Sequence, residues 1–142
     1  FMPLFPTIYT NMLGKKIKEG DVNVWLINTG WSGGEYGKGN RIRLKYTRAM
    51  ITAAMNNKLD NIDYLKHEVF QLNIPKTCPD VPEEILNPSN TWQNKLEYLK
   101  KAKVLSNLFN QKFEKVKKSI QAHPNMGNNT LKNILLGGPN KN

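Results

Sequence analysis

The spacing of hydrophobic and polar residues differs between segments of the first third of the chain. Each spacing predicts a different element of secondary structure. Residues 7–18 carry apolar side chains at helical spacing, which predicts a helix, and Gly20 is its predicted stop. Residues 22–28 are short, β-branched and mostly apolar, which predicts a buried strand. Five glycines within residues 29–40 predict a loop, and apolar spacing over residues 47–56 predicts a second helix.

The connecting segments are less regular. Ile42 and Leu44 alternate with basic residues, which predicts a half-buried strand or a short extended arm. Residues 57–91 contain four prolines and little periodicity, so they are predicted to form a long arm over the surface that packs on something else, with a short strand near residues 70–74. A long amphipathic helix capped by Ser89 or Asn90 follows, with one apolar stripe: Trp92, Leu96, Leu99, Leu105, Phe109, Phe113, Val116 and Ile120.

This order of elements predicts an α/β fold of mixed helices and strands, with a long C-terminal amphipathic helix. The 142 residues suit one domain, predicted over residues 1–122, followed by an Asn- and Gly-rich tail over residues 123–142. Because the chain starts at Phe1 rather than Met, we expect it to be cut from a longer chain.

The net charge of +10 leaves three partner classes open: nucleic acid, an anionic membrane surface and a phosphate-bearing small molecule. Many lysines fall between Lys95 and Lys118, where a solvated helix face explains them. The sequence shows neither aromatic residues interleaved with basic ones nor a known nucleic-acid motif. It also contains no apolar run of roughly 18 residues and no signal-peptide pattern, so no membrane partner is expected. The single cysteine, Cys78, suits a reducing compartment such as the cytosol.

The glycine loop over residues 29–40 is the feature that bears most on chemistry, because glycines let backbone N–H groups approach phosphate oxygens. It is not the phosphate-binding P-loop, since Gly37 and Lys38 are followed by Gly39. The dinucleotide pattern also fails, because its third glycine falls on Ile42. Two interpretations therefore stay open from spacing alone: contact with a nucleotide, or a tight connection between two strands.

Other candidate chemistry is sparse. His67 and His123 have no neighbouring Cys or second His, so no metal cluster is expected in this sequence. Cys78 has no basic neighbour that would activate it as a nucleophile. No catalytic residue is predicted within the chain.

The loop and its flanks resemble a known family. Residues 24–56, VWLINTGWSGGEYGKGNRIRLKYTRAMITAAMN, are similar to the C-terminal signature of ATP-dependent phosphoenolpyruvate carboxykinases. Residues 1–17, TCPDVPEEI at 77–85 and LNPSNTW at 86–92 resemble further family segments, in order and at family spacing. The resemblance runs from Phe1 to about Phe113. It departs from the family pattern at Phe5, where His is common, and at Asn40, where Lys is usual.

The resemblance implies the last part of a C-terminal nucleotide-binding domain. Enzymes of the family are lyases of gluconeogenesis that convert oxaloacetate and ATP to phosphoenolpyruvate, CO₂ and ADP, using Mg²⁺ with the nucleotide and a second ion, often Mn²⁺. It implies an adenine and ribose site formed by Arg41, Ile42 and Thr47, with Phe1 near the same ring. The phosphate loop, the metal ligands and the oxaloacetate-binding arginine of the family have no match here, so we expect the fragment to be inactive alone.

Two other functions stay open beside this one. A basic module could grip a nucleic acid, with Arg41, Arg43 and Lys45 as a phosphate clamp. Alternatively, the segment could be a structural lobe whose glycine loop only turns the chain.

Overall fold

The computed structural model describes residues 3–4 and 6–121. In chain order these form α1 (Pro6–Gly20), β1 (Trp31–Ser32), β2 (Asn40–Arg41), α2 (Leu44–Met55), β3 (Tyr64–Lys66), β4 (Asn73–Pro75), α3 (Glu83–Leu86), a 3₁₀ turn (Pro88–Thr91) and α4 (Lys95–Gln121). The mixture of helices and small sheets, ending in a long helix, confirms the α/β fold class. The predicted tail over residues 123–142 lies outside the described residues.

Both sheets in the described part are two-stranded and antiparallel. β1 pairs with β2 so that Trp31 faces Arg41 and Ser32 faces Asn40. β3 pairs with β4, with Leu65 opposite Ile74 at the centre. The first pair lies within the predicted glycine loop and turns it into a tight hairpin.

By its internal contacts the chain divides into two compact units, Phe1–Val24 with Leu105–Asn142, and Trp25–Val104. The second unit contains a core of Ala53, Leu59, Cys78 and Val81. Half-buried apolar side chains pack around this core: Trp25, Tyr46, Ala49, Met50, Ala54, Ile62, Ile85 and Leu86.

Helix α2 supplies much of that core because its apolar residues recur at helical spacing on one face. The helix ends where Asn57 adopts a left-handed φ of 55°. This conformation lets the Lys58 N–H donate to the Ala53 carbonyl at 2.9 Å, which satisfies an end-of-helix acceptor. The prediction of a helix over residues 47–56 is confirmed, with a start three residues earlier.

In the first unit, the prediction of a helix over residues 7–18 is confirmed by α1. Thr7 is buried in its first turn at 2% exposure, and its Oγ1 has no hydrogen-bond partner in the described part of the chain. An exposed ion pair between Lys15 and Glu19, one turn apart, lies further along the helix.

The prediction of a buried strand over residues 22–28 is wrong. This segment has no regular secondary structure, and Val22, Val24 and Leu26 are 54%, 64% and 80% exposed. A buried strand needs a second strand to pair its backbone and a layer to cover its side chains. The described residues pair no strand with this segment and hold Trp25 only part-buried against the core, although the apolar pattern of the segment is that of a strand.

Two predictions about the connecting segments are also corrected. Ile42 and Leu44 do not form a strand, because α2 begins at Leu44 and overrides the local alternation. Residues 57–91 do not merely cover the surface, since Leu59, Cys78 and Val81 are core residues. The short strand predicted near residues 70–74 is confirmed as β4, at Asn73–Pro75.

Helix α4 starts at Lys95, later than the predicted Ser89 or Asn90 cap. Asn94 caps it instead, because its Oδ1 accepts hydrogen bonds from the N–H groups of Leu96 and Glu97 at 2.9 and 3.3 Å. Its predicted stripe is partly wrong: Leu96, Leu105 and Phe109 are exposed, whereas Ala102 and Ser106 are buried. The buried side chains of α4 are small, so a stripe predicted from large apolar residues does not include them.

Candidate functional site

The glycine hairpin between β1 and β2 is closed by a tight backbone turn. The carbonyl of Glu35 accepts hydrogen bonds from the N–H groups of Lys38 and Gly39, at 2.9 and 3.0 Å. Gly37, between these donors and Glu35, has φ of 87°, a conformation that residues with a Cβ rarely adopt. The glycine requirement therefore comes from the turn itself.

Gly39 shows a second reason for glycine, which is close backbone approach. A Cβ at Gly39 would lie 2.7 Å from the carbonyl oxygen of Ser32 and 3.0 Å from atoms of Gly34. These distances are too short for any side chain, so the two limbs of the hairpin can meet only through glycine.

The base of the hairpin is braced by Asn28. Its Oδ1 accepts a hydrogen bond from the Gly30 N–H at 2.9 Å, and its Nδ2 donates to the Trp31 carbonyl at 3.0 Å. The Ile42 N–H then donates to the Gly30 carbonyl at 2.9 Å and closes the open end. An asparagine suits this position because its short amide can satisfy nearby backbone groups.

The hairpin leads directly into the residues predicted to bind adenine and ribose. Arg41 is the last residue of β2 and is exposed, and Ile42 follows it half-buried. Thr47 lies in the first turn of α2 and is only 7% exposed. These three residues lie within seven positions of sequence, at the junction between β2 and α2. Phe1, the fourth predicted residue, lies outside the described residues.

The surroundings of this junction are basic. The Lys45 ammonium lies 4.9 Å from the ring centre of Tyr46, at cation–π distance.

On the hairpin, Glu35 pairs with Lys101 of α4, and this hydrogen-bonded contact lowers the pKa of the Glu35 carboxyl. Both side chains are largely exposed, so the pair contributes little to stability.

An open cavity of about 650 Å³ lies beside the hairpin, away from the predicted adenine residues. It is lined by Gly33, Gly34, Glu35, Lys38, Trp92, Gln93, Asn94, Glu97, Lys100 and Lys101. The lysines of α4 are predicted from the sequence to form a solvated face, and that prediction does not include this cavity. No local signal marks it, because its two walls are more than fifty residues apart in the chain.

His67 contacts groups of the fold on both of its ring nitrogens. His67 is buried, and its Nδ1 accepts hydrogen bonds from the N–H groups of Val69 and Phe70, at 3.1 and 3.2 Å. Its Nε2 lies 2.6 Å from the Tyr98 hydroxyl. Within residues 3–4 and 6–121, no group of three or more His, Cys, Asp and Glu side chains could hold a metal ion. In the same ranges, no helix is long and apolar enough to cross a bilayer.

Comparison with known protein families gives a match over residues 1–84 to the family described as phosphoenolpyruvate carboxykinase. The matched region includes α1, the glycine hairpin, the junction after β2 and the whole of α2. It therefore contains every residue that the sequence analysis assigned to nucleotide binding.

Individual relatives extend the similarity beyond that region. The chain is 59% identical over 115 residues to a phosphoenolpyruvate carboxykinase (ATP) of Christiangramia forsetii, covering 81% of this chain and 22% of that protein. Proteins of the same name from Flavobacterium johnsoniae and Fusobacterium nucleatum are 57% and 48% identical, over 98% and 100% of this chain. The chain spans 22–25% of the length of these three relatives.

Proposed function

Because the chain belongs to the phosphoenolpyruvate carboxykinase family, we propose that it supplies the adenine- and ribose-binding part of an ATP-dependent phosphoenolpyruvate carboxykinase. The reaction of the whole enzyme converts oxaloacetate and ATP to phosphoenolpyruvate, CO₂ and ADP, a gluconeogenic step in the cytoplasm. We choose ATP as the nucleotide because all three relatives are named phosphoenolpyruvate carboxykinase (ATP).

One observation supports the nucleotide site above the others: the hydrogen-bonded glycine hairpin leads directly into the strand-to-helix junction that contains Arg41, Ile42 and Thr47, within the family match. A guanidinium plane can stack on a purine and pair with ribose or phosphate oxygens. A branched aliphatic side chain suits the opposite face of the ring, and a threonine hydroxyl can meet a purine edge. Phe1 is assigned to the same ring by the family resemblance.

The chemistry of phosphoryl transfer is assigned elsewhere in the enzyme. The described residues contain no ligand set that fits Mg²⁺ or Mn²⁺, and the metal ligands are assigned to other parts of a carboxykinase chain. Oxaloacetate and phosphoenolpyruvate are likewise assigned to other parts of a carboxykinase chain. We therefore expect no turnover from these 142 residues alone in a coupled assay against a blank without protein.

The nucleotide site can be tested in a chimaera of the Flavobacterium johnsoniae enzyme that carries these 142 residues in place of its matching region. Arg41→Ala is expected to raise the KM for ATP by about 5- to 150-fold, which corresponds to a loss of about 1–3 kcal/mol. The KM for oxaloacetate should stay within about twofold. Arg43→Ala is the matched control, because Arg43 is also an exposed arginine and the family resemblance does not assign it to the nucleotide.

An unchanged KM for ATP in the Arg41→Ala chimaera would leave the hairpin as a structural connection only. The nucleic-acid alternative predicts a different result, in which the chain itself is retained on DNA or RNA and released as salt rises. If free ATP competes for the binding site on the chain and nucleic acid does not, the result would support the carboxykinase assignment.

A further inference from the structure

One segment of the family resemblance has no role in the nucleotide site proposed above. This segment, LNPSNTW at residues 86–92, forms the 3₁₀ turn Pro88–Thr91 before α4. Asn87 caps the turn, because its Oδ1 accepts hydrogen bonds from the N–H and the hydroxyl of Ser89, at 3.1 and 2.9 Å. The turn is therefore held by bonds of its own, and it can support a neighbouring element.

Thr91, at the end of this turn, contacts the glycine hairpin through its side chain and its backbone. Its hydroxyl donates to the Pro88 carbonyl at 2.8 Å and lies 2.8 Å from the hydroxyl of Ser32 in β1. Because the single proton of Thr91 goes to that carbonyl, Ser32 donates to Thr91. The Thr91 carbonyl oxygen packs on Gly33, where an added Cβ would lie 3.0 Å away. One threonine thus holds two successive residues of the hairpin.

The hairpin connects this contact to the predicted nucleotide residues. Ser32 lies opposite Asn40 in the β1–β2 pair, and Arg41 is the next residue of β2. The two limbs also approach closely at Gly39, where an added Cβ would lie 2.7 Å from the Ser32 carbonyl oxygen. A two-stranded sheet is only marginally stable by itself, so its position depends on what holds it from outside. A displacement of Ser32 therefore displaces Arg41 as well.

We propose that Thr91 is a positioning residue for the nucleotide site, and that it holds Arg41 at the purine through Ser32 and the hairpin. This inference rests on the proposed function, because it takes Arg41 as the residue that contacts the purine. A binding residue that is already in place loses less conformational freedom when the ligand arrives, and the ligand then binds more tightly. Loss of the Thr91 hydroxyl should therefore weaken the binding of ATP.

A role of Thr91 in stability alone predicts a different result. A less stable enzyme contains fewer active molecules, so its rate at saturating substrate falls while both KM values stay the same. A positioning role instead raises the KM for ATP and leaves the KM for oxaloacetate unchanged. The two KM values therefore separate the two roles.

The test uses the Flavobacterium johnsoniae chimaera described above. Thr91→Val removes the hydroxyl but keeps the branched shape, and it is expected to raise the KM for ATP by about 3- to 10-fold. The KM for oxaloacetate should stay within about twofold. Thr91→Ser keeps the hydroxyl, so its KM for ATP should lie within about twofold of that of the parent chimaera.

Double variants test whether Thr91 acts through the named residues. Ser32→Ala removes the other partner of the same hydrogen bond and should raise the KM for ATP as much as Thr91→Val does. The two changes together should be no worse than either alone, because the bond is lost only once. In a chimaera that already carries Arg41→Ala, Thr91→Val should change the KM for ATP by less than about twofold.

Thr10→Val is the matched control. The Thr10 hydroxyl also donates to a proline carbonyl, that of Pro6 at 2.9 Å, but it lies in α1 and not at the hairpin. This variant should leave both KM values unchanged. Thermal unfolding is measured for every variant, and if Thr91→Val does not fold, Ser32→Ala measures the loss of the same bond from the hairpin side.

An unchanged KM for ATP in Thr91→Val and Ser32→Ala, beside a raised KM in Arg41→Ala, would overturn the positioning role and leave the proposed function intact. An equal rise in Thr10→Val, or a rise in Thr91→Ser as large as that in Thr91→Val, would also overturn it. If Arg41→Ala and Thr91→Val both leave the KM for ATP unchanged, the proposed function and the positioning role fail together.

Discussion

The hydroxyl of Ser32 lies 2.8 Å from the hydroxyl of Thr91, joining the glycine hairpin to the 3₁₀ turn before α4 across 59 positions of sequence. Thr91 donates its own proton to the Pro88 carbonyl at 2.8 Å, so Ser32 is the donor to Thr91. Gly33 also packs closely on Thr91, since a Cβ at Gly33 would lie 3.0 Å from the Thr91 carbonyl oxygen. The hairpin is therefore held by a distant turn as well as by its own bonds.

Ser32→Ala is expected to lower the free energy of unfolding by about 0.5–1.5 kcal/mol, because a part-buried hydrogen bond is lost. Hydrogen exchange of the hairpin amides should quicken as well, since the hairpin loses its tie to the 3₁₀ turn. Urea unfolding and exchange measured by mass spectrometry provide the two readouts. Thr29→Ala is the control, because Thr29 is an exposed hydroxyl residue next to the hairpin. An equal loss of stability and an equal rise in exchange rate in that variant would show that the Ser32 hydrogen bond contributes nothing specific.

Gly39→Ala and Gly14→Ala should change stability in opposite directions. The added methyl at Gly39 meets the Ser32 carbonyl at 2.7 Å, so the hairpin must open, at a cost of about 1–3 kcal/mol. Gly14 lies inside α1 with nothing within 4 Å of an added Cβ. Alanine there should stabilise the chain by about 0.5–1 kcal/mol, because glycine weakens a helix interior. Thermal unfolding of both variants checks the signs, and a stabilised Gly39→Ala variant would contradict the hairpin geometry.

Stability is expected to fall as pH drops from 8 to 5 through His67. Its Nδ1 accepts two N–H groups, so the neutral imidazole carries its proton on Nε2 and donates to Tyr98. Burial lowers the pKa of His67 below its usual value, against a smaller opposing effect of Glu68. The unfolded chain then takes up a proton at higher pH than the folded one. The stabilisation is complete above about pH 6.5, the ordinary histidine pKa, and is lost as pH falls through the lower pKa of the folded state.

Urea midpoints measured at intervals from pH 8 to pH 5 test this dependence. His67→Asn should flatten the slope, whereas the same substitution at His123 provides the comparison that identifies which histidine is responsible. Tyr98→Phe removes the hydroxyl partner and should cost about 0.5–1.5 kcal/mol at pH 8. A slope that survives His67→Asn would assign the pH dependence to other groups.

Cys78 should be unreactive in the folded chain. It is 7% exposed in the core, and burial, followed by the nearby Asp80, raises the pKa of its thiol. Both the low accessibility and the scarce thiolate slow its attack on a disulfide reagent. At pH 8 we expect labelling at least about tenfold slower than in urea-unfolded chain. Because the sequence has no other cysteine, the labelling rate reports this site alone, and equal rates in both states would contradict its burial.

Local spacing was enough to predict two helices, because α1 and α2 each satisfy their backbone within the segment and need only one apolar face. It was also enough to locate the glycine hairpin, since Gly37 and Gly39 occupy positions where any Cβ would be strained or clash. The family resemblance selected Arg41, Ile42 and Thr47 as site residues, which spacing alone could not do, because the hairpin matches no phosphate-binding motif.

By itself, then, the sequence determined those elements whose geometry is settled by neighbouring residues. Only the tertiary structure decided whether an apolar segment is covered: it placed Leu59 and Cys78 of the supposed surface arm in the core and left Leu26 of the supposed buried strand exposed. A strand is stabilised by partners that are distant in sequence. The residues of the strand itself do not indicate where those partners lie. The inward face of α4, with Ala102 and Ser106, depends in the same way on what packs against it.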